Sequence, residues 1–215
     1  MYATDKEIGQ IAVIVAHPDD ETLWAGGTLL SSSFENCFIL SLCRREDPDR
    51  AARFYRVLTE LGASGTMADL DDGPQQVFLP ESLIANTIID NLPIRMYDRI
   101  YTHSPLGEYT RHKRHEETGR AVLMLWLAGL LQTKEILLFA YDDGGHAHLP
   151  KPIKNANIKV NLPEEIWEEK YHLITDIYNF NKDSFEAKTT PATEAFWQVK
   201  THDEARQWLK RKRSE

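Results

Sequence analysis

The chain has 215 residues, 42% hydrophobic and 27% charged, which suits one α/β domain with a sizeable core rather than a disordered chain. With 25 basic against 33 acidic side chains the formal net charge is -8. That balance argues against nucleic acid as the main partner, because phosphate contacts need clustered Lys and Arg.

Residues Met1 to Gln10 offer no basic stretch ahead of the first apolar run. The run itself is too short to cross a bilayer and ends in charge, so neither signal peptide nor membrane segment is expected, and a cytoplasmic setting follows. Its β-branched residues, 11–16, predict a buried parallel strand. The strand runs straight into His17-Pro18-Asp19-Asp20-Glu21 and a helix over 21–33. Further strands are predicted at 37–43, 98–103 and 135–141, with a weaker one around 65–70. Helices are predicted at 48–61, 80–91, 115–132 and 163–180. The second is the clearest, with Phe54, Val57, Leu58 and Leu61 on one face and Gly62 able to take a left-handed cap.

This alternation implies an α/β fold, a mainly parallel sheet with helices on both faces and right-handed crossovers. One domain is expected over 1–215, with its core at about 10–145 and a loop and helical extension over 146–215. Cys37 and Cys43 flank one predicted strand, too far apart along it to bridge, so no disulfide is expected and a reducing compartment is the simpler reading. The last fifth holds Trp167, Phe185, Phe196, Trp197 and Trp208 without clean periodicity, a segment able to pack on the sheet edge and shape a substrate wall. Lys210-Arg211-Lys212-Arg213 reads as a solvated helix end or tail.

Ligands of open α/β sheets bind in the crevice beyond the carboxyl ends of the strands. His17 and Asp20 supply one nitrogen and one oxygen donor there, and Asp19 between them is a spare base. A catalytic zinc site usually takes three protein ligands and leaves a position for water. As a plain helix N-terminus the motif accounts for Pro18 and the three acids, but not for His17. A third donor is available after the strand at 98–103, where His112 and His115 fall on nearly one face of the next helix turn. One could ligate while the other stands beside the cation. His103 is expected at its strand end as a supporting or structural residue. His146 and His148 sit in a polar loop or line the pocket, Trp24 serves packing or the substrate, and His172 and His202 are surface or packing residues.

Ala16-His17-Pro18-Asp19-Asp20-Glu21 followed by Gly26-Gly27, with His103, Gly107-Glu108-Tyr109 and His112-x-x-His115 downstream, resembles the LmbE-like, PIG-L-type zinc N-deacetylases. That family includes N-acetylglucosaminyl-phosphatidylinositol de-N-acetylase and the mycothiol and bacillithiol deacetylases. The resemblance covers roughly residues 10 to 145 and implies a Rossmann-like core. It implies zinc held by His17, Asp20 and His115, with Asp19 as general base and His112 stabilising the oxyanion or protonating the leaving amine. Arg50, Tyr109 and Asp71 or Asp72 correspond to substrate-binding positions. The implied reaction releases acetate and a free amine from an N-acetylglucosamine-type sugar or glycoside, a small-molecule partner.

Three departures stand out. Lys113 and Arg114 separate the histidines where the family commonly has Pro-Asp, and a cation at 114 should lower the pKa of His112. Tyr109 is one residue further from His112 than expected, and Arg53 stands where Glu is frequent. Two other functions remain open: a zinc hydrolase of another acyl or phosphoryl bond, and a non-catalytic carbohydrate-binding relative. The donor set would also hold iron, cobalt or manganese, and a homo-oligomer is equally admitted.

Overall fold

A computed structural model describes residues 8–75, 77–110 and 112–212. Arg213 of the basic cluster and residues 1–7 of the N-terminal stretch lie outside the described residues. Strand β1 (Ile8–Val15) leads into α1 (Asp20–Ser31), β2 (Phe34–Ser41) into α2 (Pro48–Glu60), and β3 (Ser64–Met67) through a long loop into α3 (Glu81–Asn91). Strands β4 (Met96–Tyr97) and β5 (Arg99–Thr102) precede α4 (Lys113–Leu127). Then come β6 (Gln132–Thr133), β7 (Ile136–Phe139), β8 (Tyr141–Asp142), β9 (Lys151–Pro152) and β10 (Ile158–Asn161). Helix α5 (Glu164–His172) continues as a π-helical turn (Leu173–Ile177), followed by α6 (Phe185–Thr189), β11 (Thr193–Val199) and α7 (His202–Lys210).

Seven strands form one sheet in the order β10-β11-β7-β5-β1-β2-β3. The pairs among β7, β5, β1, β2 and β3 are parallel, and β11 and β10 add antiparallel strands at one edge. Both faces are covered, which is why β1 reads as a continuous apolar run: Ile11, Val13 and Val15 enter one core, Ala12 and Ile14 the other. Residues of α1, α2 and the π turn fill the first core, and those of α3, α4 and α7 the second. The expected α/β architecture with helices on both faces is present. No helix among the described residues is long and apolar enough to cross a membrane.

The chain winds outward from β1 through β2 to β3, then returns to lay β5 on the other side of β1. The crossovers therefore diverge above β1 and β5 and leave a crevice at their carboxyl ends. Both histidine-bearing segments emerge there.

The segment after 145 contributes more than the loop and helices expected of it. Strands β10 and β11 extend the sheet, and Glu194 of β11 is fully buried. Its carboxylate accepts the amides of Gly27 (2.8 Å) and Thr28 (2.7 Å) in α1 and pairs with buried Lys170 of α5 (2.7 Å). A β-carbon on Gly27 would stand 2.3 Å from Leu162 Cδ1, so the glycine lets this segment approach α1 closely. The helix expected over 163–180 ends earlier, at the π turn, and Asn179 beyond it takes φ 59°.

Candidate metal and catalytic site

Residues 16–20 make a sharp turn from β1 into α1. Asp19 adopts φ 126°, a region costly for a residue with a side chain, and its amide donates to Glu21 Oε2 at 3.0 Å. Its carbonyl accepts the amides of Thr22 (3.0 Å) and Leu23 (2.8 Å), which starts the helix. Glu21 is fully buried and its other oxygen accepts the hydroxyls of Thr22 (2.7 Å) and Tyr178 (2.6 Å). The turn is thus fixed from beneath by a carboxylate and by a tyrosine 157 residues away in sequence.

Three donor atoms meet above it. His17 Nδ1 lies 3.1 Å from Asp20 Oδ2 and 3.2 Å from His115 Nε2, and the remaining side of the triangle, His115 Nε2 to Asp20 Oδ2, is 3.3 Å. Atoms held 2.0–2.2 Å from a tetrahedral zinc stand roughly 3.3–3.6 Å apart, so the spacing fits a small divalent cation. Each imidazole turns its other nitrogen to a carboxylate. His115 Nδ1 lies 2.7 Å from Glu108 Oε2, and His17 Nε2 lies 3.2 Å from Asp72 Oδ1. The hydrogen bond to Glu108 fixes the His115 ring and leaves its Nε2 with the lone pair, whereas Asp72 stands near His17 as a charge without hydrogen-bond alignment. Trp24, fully buried, donates its indole N–H to Asp20 Oδ1 at 3.1 Å. It belongs to the core and holds a carboxylate.

The electrostatics agree with a site that wants positive charge. Burial favours neutral imidazoles, yet Asp20 and Asp72 raise the pKa of His17, and Asp20 with Glu108 raises that of His115. Burial also opposes a charged Asp20, but the imidazoles of His115 and His103 hold its carboxyl well below the usual range. Glu108, likewise penalised by burial, is pulled down to about 2 by His103 and His115.

His103 is a support rather than a donor to the triangle. Its Nδ1 is 3.0 Å from Glu108 and its Nε2 accepts the Ala16 amide at 3.0 Å. Burial pulls its pKa down, while Glu108 and Asp20 push it up to about 9. Nε2 facing the Ala16 amide orients the ring so that Nδ1–H points at Glu108.

A cavity of about 190 Å³ opens over these atoms. His17, Asp19, Asp20, Arg50, Asp72, Tyr109 and His112 all line it, while His115 lies fully buried behind. The seven predicted residues on the wall and the one beneath it are thus brought together. Asp19 has its pKa raised well above the ordinary value by burial and by Asp20, with Arg50 and His17 opposing. The His112 ring stacks on His115 at 4.3 Å between centroids, and its Nδ1 has no hydrogen-bond partner among the described residues. Burial and the His115 and His17 imidazoles lower its pKa to about 3. The lowering has the expected direction and a different cause, since Arg114 points away into the protein.

Arg50 rests its guanidinium 4.4 Å from the centre of the Phe180 ring, and Tyr109 packs between Trp24, His112 and Phe185. Asp72 reaches the cavity with its oxygens already engaged by His17 and Arg44. Phe185 and Glu186 of α6 complete the wall from the C-terminal segment. His146 and His148 are exposed and line no part of the cavity. Glu108, Glu21 and Tyr178 carry structural duties at this site that the residue pattern did not expose. For Glu108, the available sign was an acid shortly after Pro105 and within eight residues of His103, His112 and His115.

Solved structures share this fold. N,N'-diacetylchitobiose deacetylase from Pyrococcus horikoshii is 15% identical with a TM-score of 0.64, over 88% of this chain and 83% of that one. The A40926 pseudoaglycone deacetylase Dbv21 is 14% identical with a TM-score of 0.54, over 89% and 97%. GalB, the 4-carboxy-2-hydroxymuconate hydratase from Pseudomonas putida KT2440, is 14% identical with a TM-score of 0.57, over 84% and 82%. At such identities the likeness establishes the fold, and a hydratase among the neighbours shows that one fold serves different reactions. No protein-family model matches the sequence, and no curated protein matches it significantly.

Proposed function

We propose that this chain is a divalent-metal-dependent hydrolase that removes the acetyl group from an N-acetylated amino sugar or glycoside. The observation that carries the reading is the triangle of His17 Nδ1, Asp20 Oδ2 and His115 Nε2 beside an unliganded acid, Asp19, on the wall of a small cavity. Two of the fold neighbours are deacetylases by name, which agrees with it. The cavity is smaller than the roughly 300–1,000 Å³ of drug-sized sites, as suits one sugar ring and its acetamide.

The three triangle residues would hold the cation, zinc by donor type. When bound it would supply Lewis acidity toward the acetamide oxygen and make a water available as a nucleophile near neutral pH. Asp19, displaced from the donors by its strained turn, takes the proton of the attacking water. Its upward-shifted pKa then suits it to return that proton to the departing nitrogen, because an amide nitrogen leaves poorly as an anion. His112, kept neutral by burial and its neighbours, serves in this reading as a ring N–H donor to the oxygen on which charge develops rather than as the proton source. Arg50 and Tyr109 bind the sugar, Arg50 also steadying the Asp19 carboxylate, and Phe185 offers a ring face to the sugar's apolar side.

A panel of N-acetylated monosaccharides and glycosides, assayed for released amine and acetate with metal content measured on the same sample, tests the reading. Amine release that a chelator abolishes and zinc restores is the expected result. Absence of release across the panel, with hydration of an unsaturated dicarboxylate instead, would place the protein with the hydratase and sink the proposal.

A further inference from the structure

We infer that Arg114 is a positioning residue for the cation site, acting on His17 through the loop that carries Asp72. The inference rests on the metal-site reading above. Arg114 follows His112 by two residues, yet its side chain turns away from the cavity and is 2% exposed. Its donors diverge in three directions. Nε donates to the Asp71 carbonyl at 2.6 Å, Nη2 to the Val77 carbonyl at 2.6 Å, and Nη1 pairs with Glu117 one turn along α4. Glu117 in turn accepts the Leu79 amide at 2.9 Å. One arginine and one glutamate on α4 therefore hold the chain at Asp71, Val77 and Leu79, and the described residues 71–75 and 77–79 form no helix or strand.

The start of that segment, next to the Asp71 carbonyl that Arg114 holds, presents Asp72 to the site. Asp72 Oδ1 lies 3.2 Å from His17 Nε2, and Oδ2 is held by Arg44. The distal nitrogen of His17 makes no aligned hydrogen bond among the described residues, so Asp72 acts on the ring as a nearby charge. Helix α4 would thus set both imidazoles of the triangle: His115 directly, as its own residue, and His17 at second hand through Arg114, the loop and Asp72. A lysine could not replace this grip, since only the planar guanidinium sends fixed donors toward three separate acceptors.

Zinc affinity of the metal-free protein, measured by chelator competition, separates positioning from simple bracing. Wild type, Arg114→Met, Asp72→Asn and the double variant are compared, with thermal midpoints of the metal-free proteins alongside. Each single variant should weaken zinc binding by about 10–100-fold, the usual cost of losing an outer partner of a ligating histidine. The double variant should be no weaker than the weaker single, because both act on the same contact. Wild-type zinc affinity in Arg114→Met, or losses that multiply in the double variant, would overturn the inference. A lowered midpoint with unchanged affinity would do the same. Should Arg114→Met not fold, Arg114→Lys decides by the same comparison. Failure of the wild-type protein itself to bind zinc would instead remove the metal-site reading and this inference with it.

Discussion

Asp19 is held at φ 126° by hydrogen bonds to its amide and carbonyl, and its carboxyl is desolvated beside Asp20. Backbone strain of this kind costs about 1–3 kcal/mol and persists where the surroundings impose it. Glycine tolerates that conformation, so Asp19→Gly should raise the thermal midpoint while abolishing turnover; an unchanged or lower midpoint would show that the turn is not strained. Glu108 makes a second residue-scale case. Its pKa lies near 2 in the folded protein against an ordinary 4.5, so its contribution is complete above 4.5 and disappears as pH falls toward 2. Metal-free wild type should lose stability across that window, and Glu108→Gln should lose much less, as followed by thermal midpoint against pH. That His17 and Asp20 would meet at the strand end was legible, because a strand ending in a histidine and three acids is hard to explain otherwise, while the choice of His115 over His112 beside them rested on the family resemblance. Glu21, Glu108 and Tyr178 were not, because a buried carboxylate shows its purpose only when its partners, 157 residues apart for Glu21 and Tyr178, are seen together.

Helix α4 carries His115 across the end of β5, and Gly119 sets how closely the two approach. A β-carbon there would stand 2.3 Å from the His103 carbonyl oxygen, a backbone atom that cannot swing aside. Gly119→Ala should therefore lift α4 from the sheet, costing about 1–3 kcal/mol of stability and misplacing His115. Unfolding midpoints and zinc stoichiometry check both effects, and a fully stable variant with intact metal binding would refute the argument. Strands β1, β2, β5 and β7 were readable as apolar runs between helices. The antiparallel β10 and β11 were not: β10 alternates in burial over only four residues, and β11 mixes buried Glu194 with aromatics. The early end of the helix after 163 was equally hidden, since its apolar spacing continues into the π turn.

For the whole molecule the reversal of strand order between β1 and β5 decides where chemistry can sit, and the chain after 145 decides whether the fold is complete. Glu194 grips α1, Tyr178 supports the turn below Asp19, and β11 covers the open side of β7. A chain ended at residue 145 should fail to give a cooperative unfolding transition. A cooperative melt from residues 1–145 would show that the remainder is an ornament. Both cysteines are buried and free, and burial raises the Cys37 thiol to about 12 and Cys43 higher still. Neither should react with iodoacetamide at pH 8 until denaturant is added.

His17 and Asp20 hang from one side of the strand-order reversal and His115 from the other, so a bound ion would fasten two halves of the sheet that no disulfide cross-links. Occupancy and folding then share one equilibrium: free zinc at a thousand times its dissociation constant should add about 4 kcal/mol of stability. The heat resistance of this protein would accordingly rise and fall with metal supply, and a melting curve becomes a gauge of saturation that needs no knowledge of the substrate.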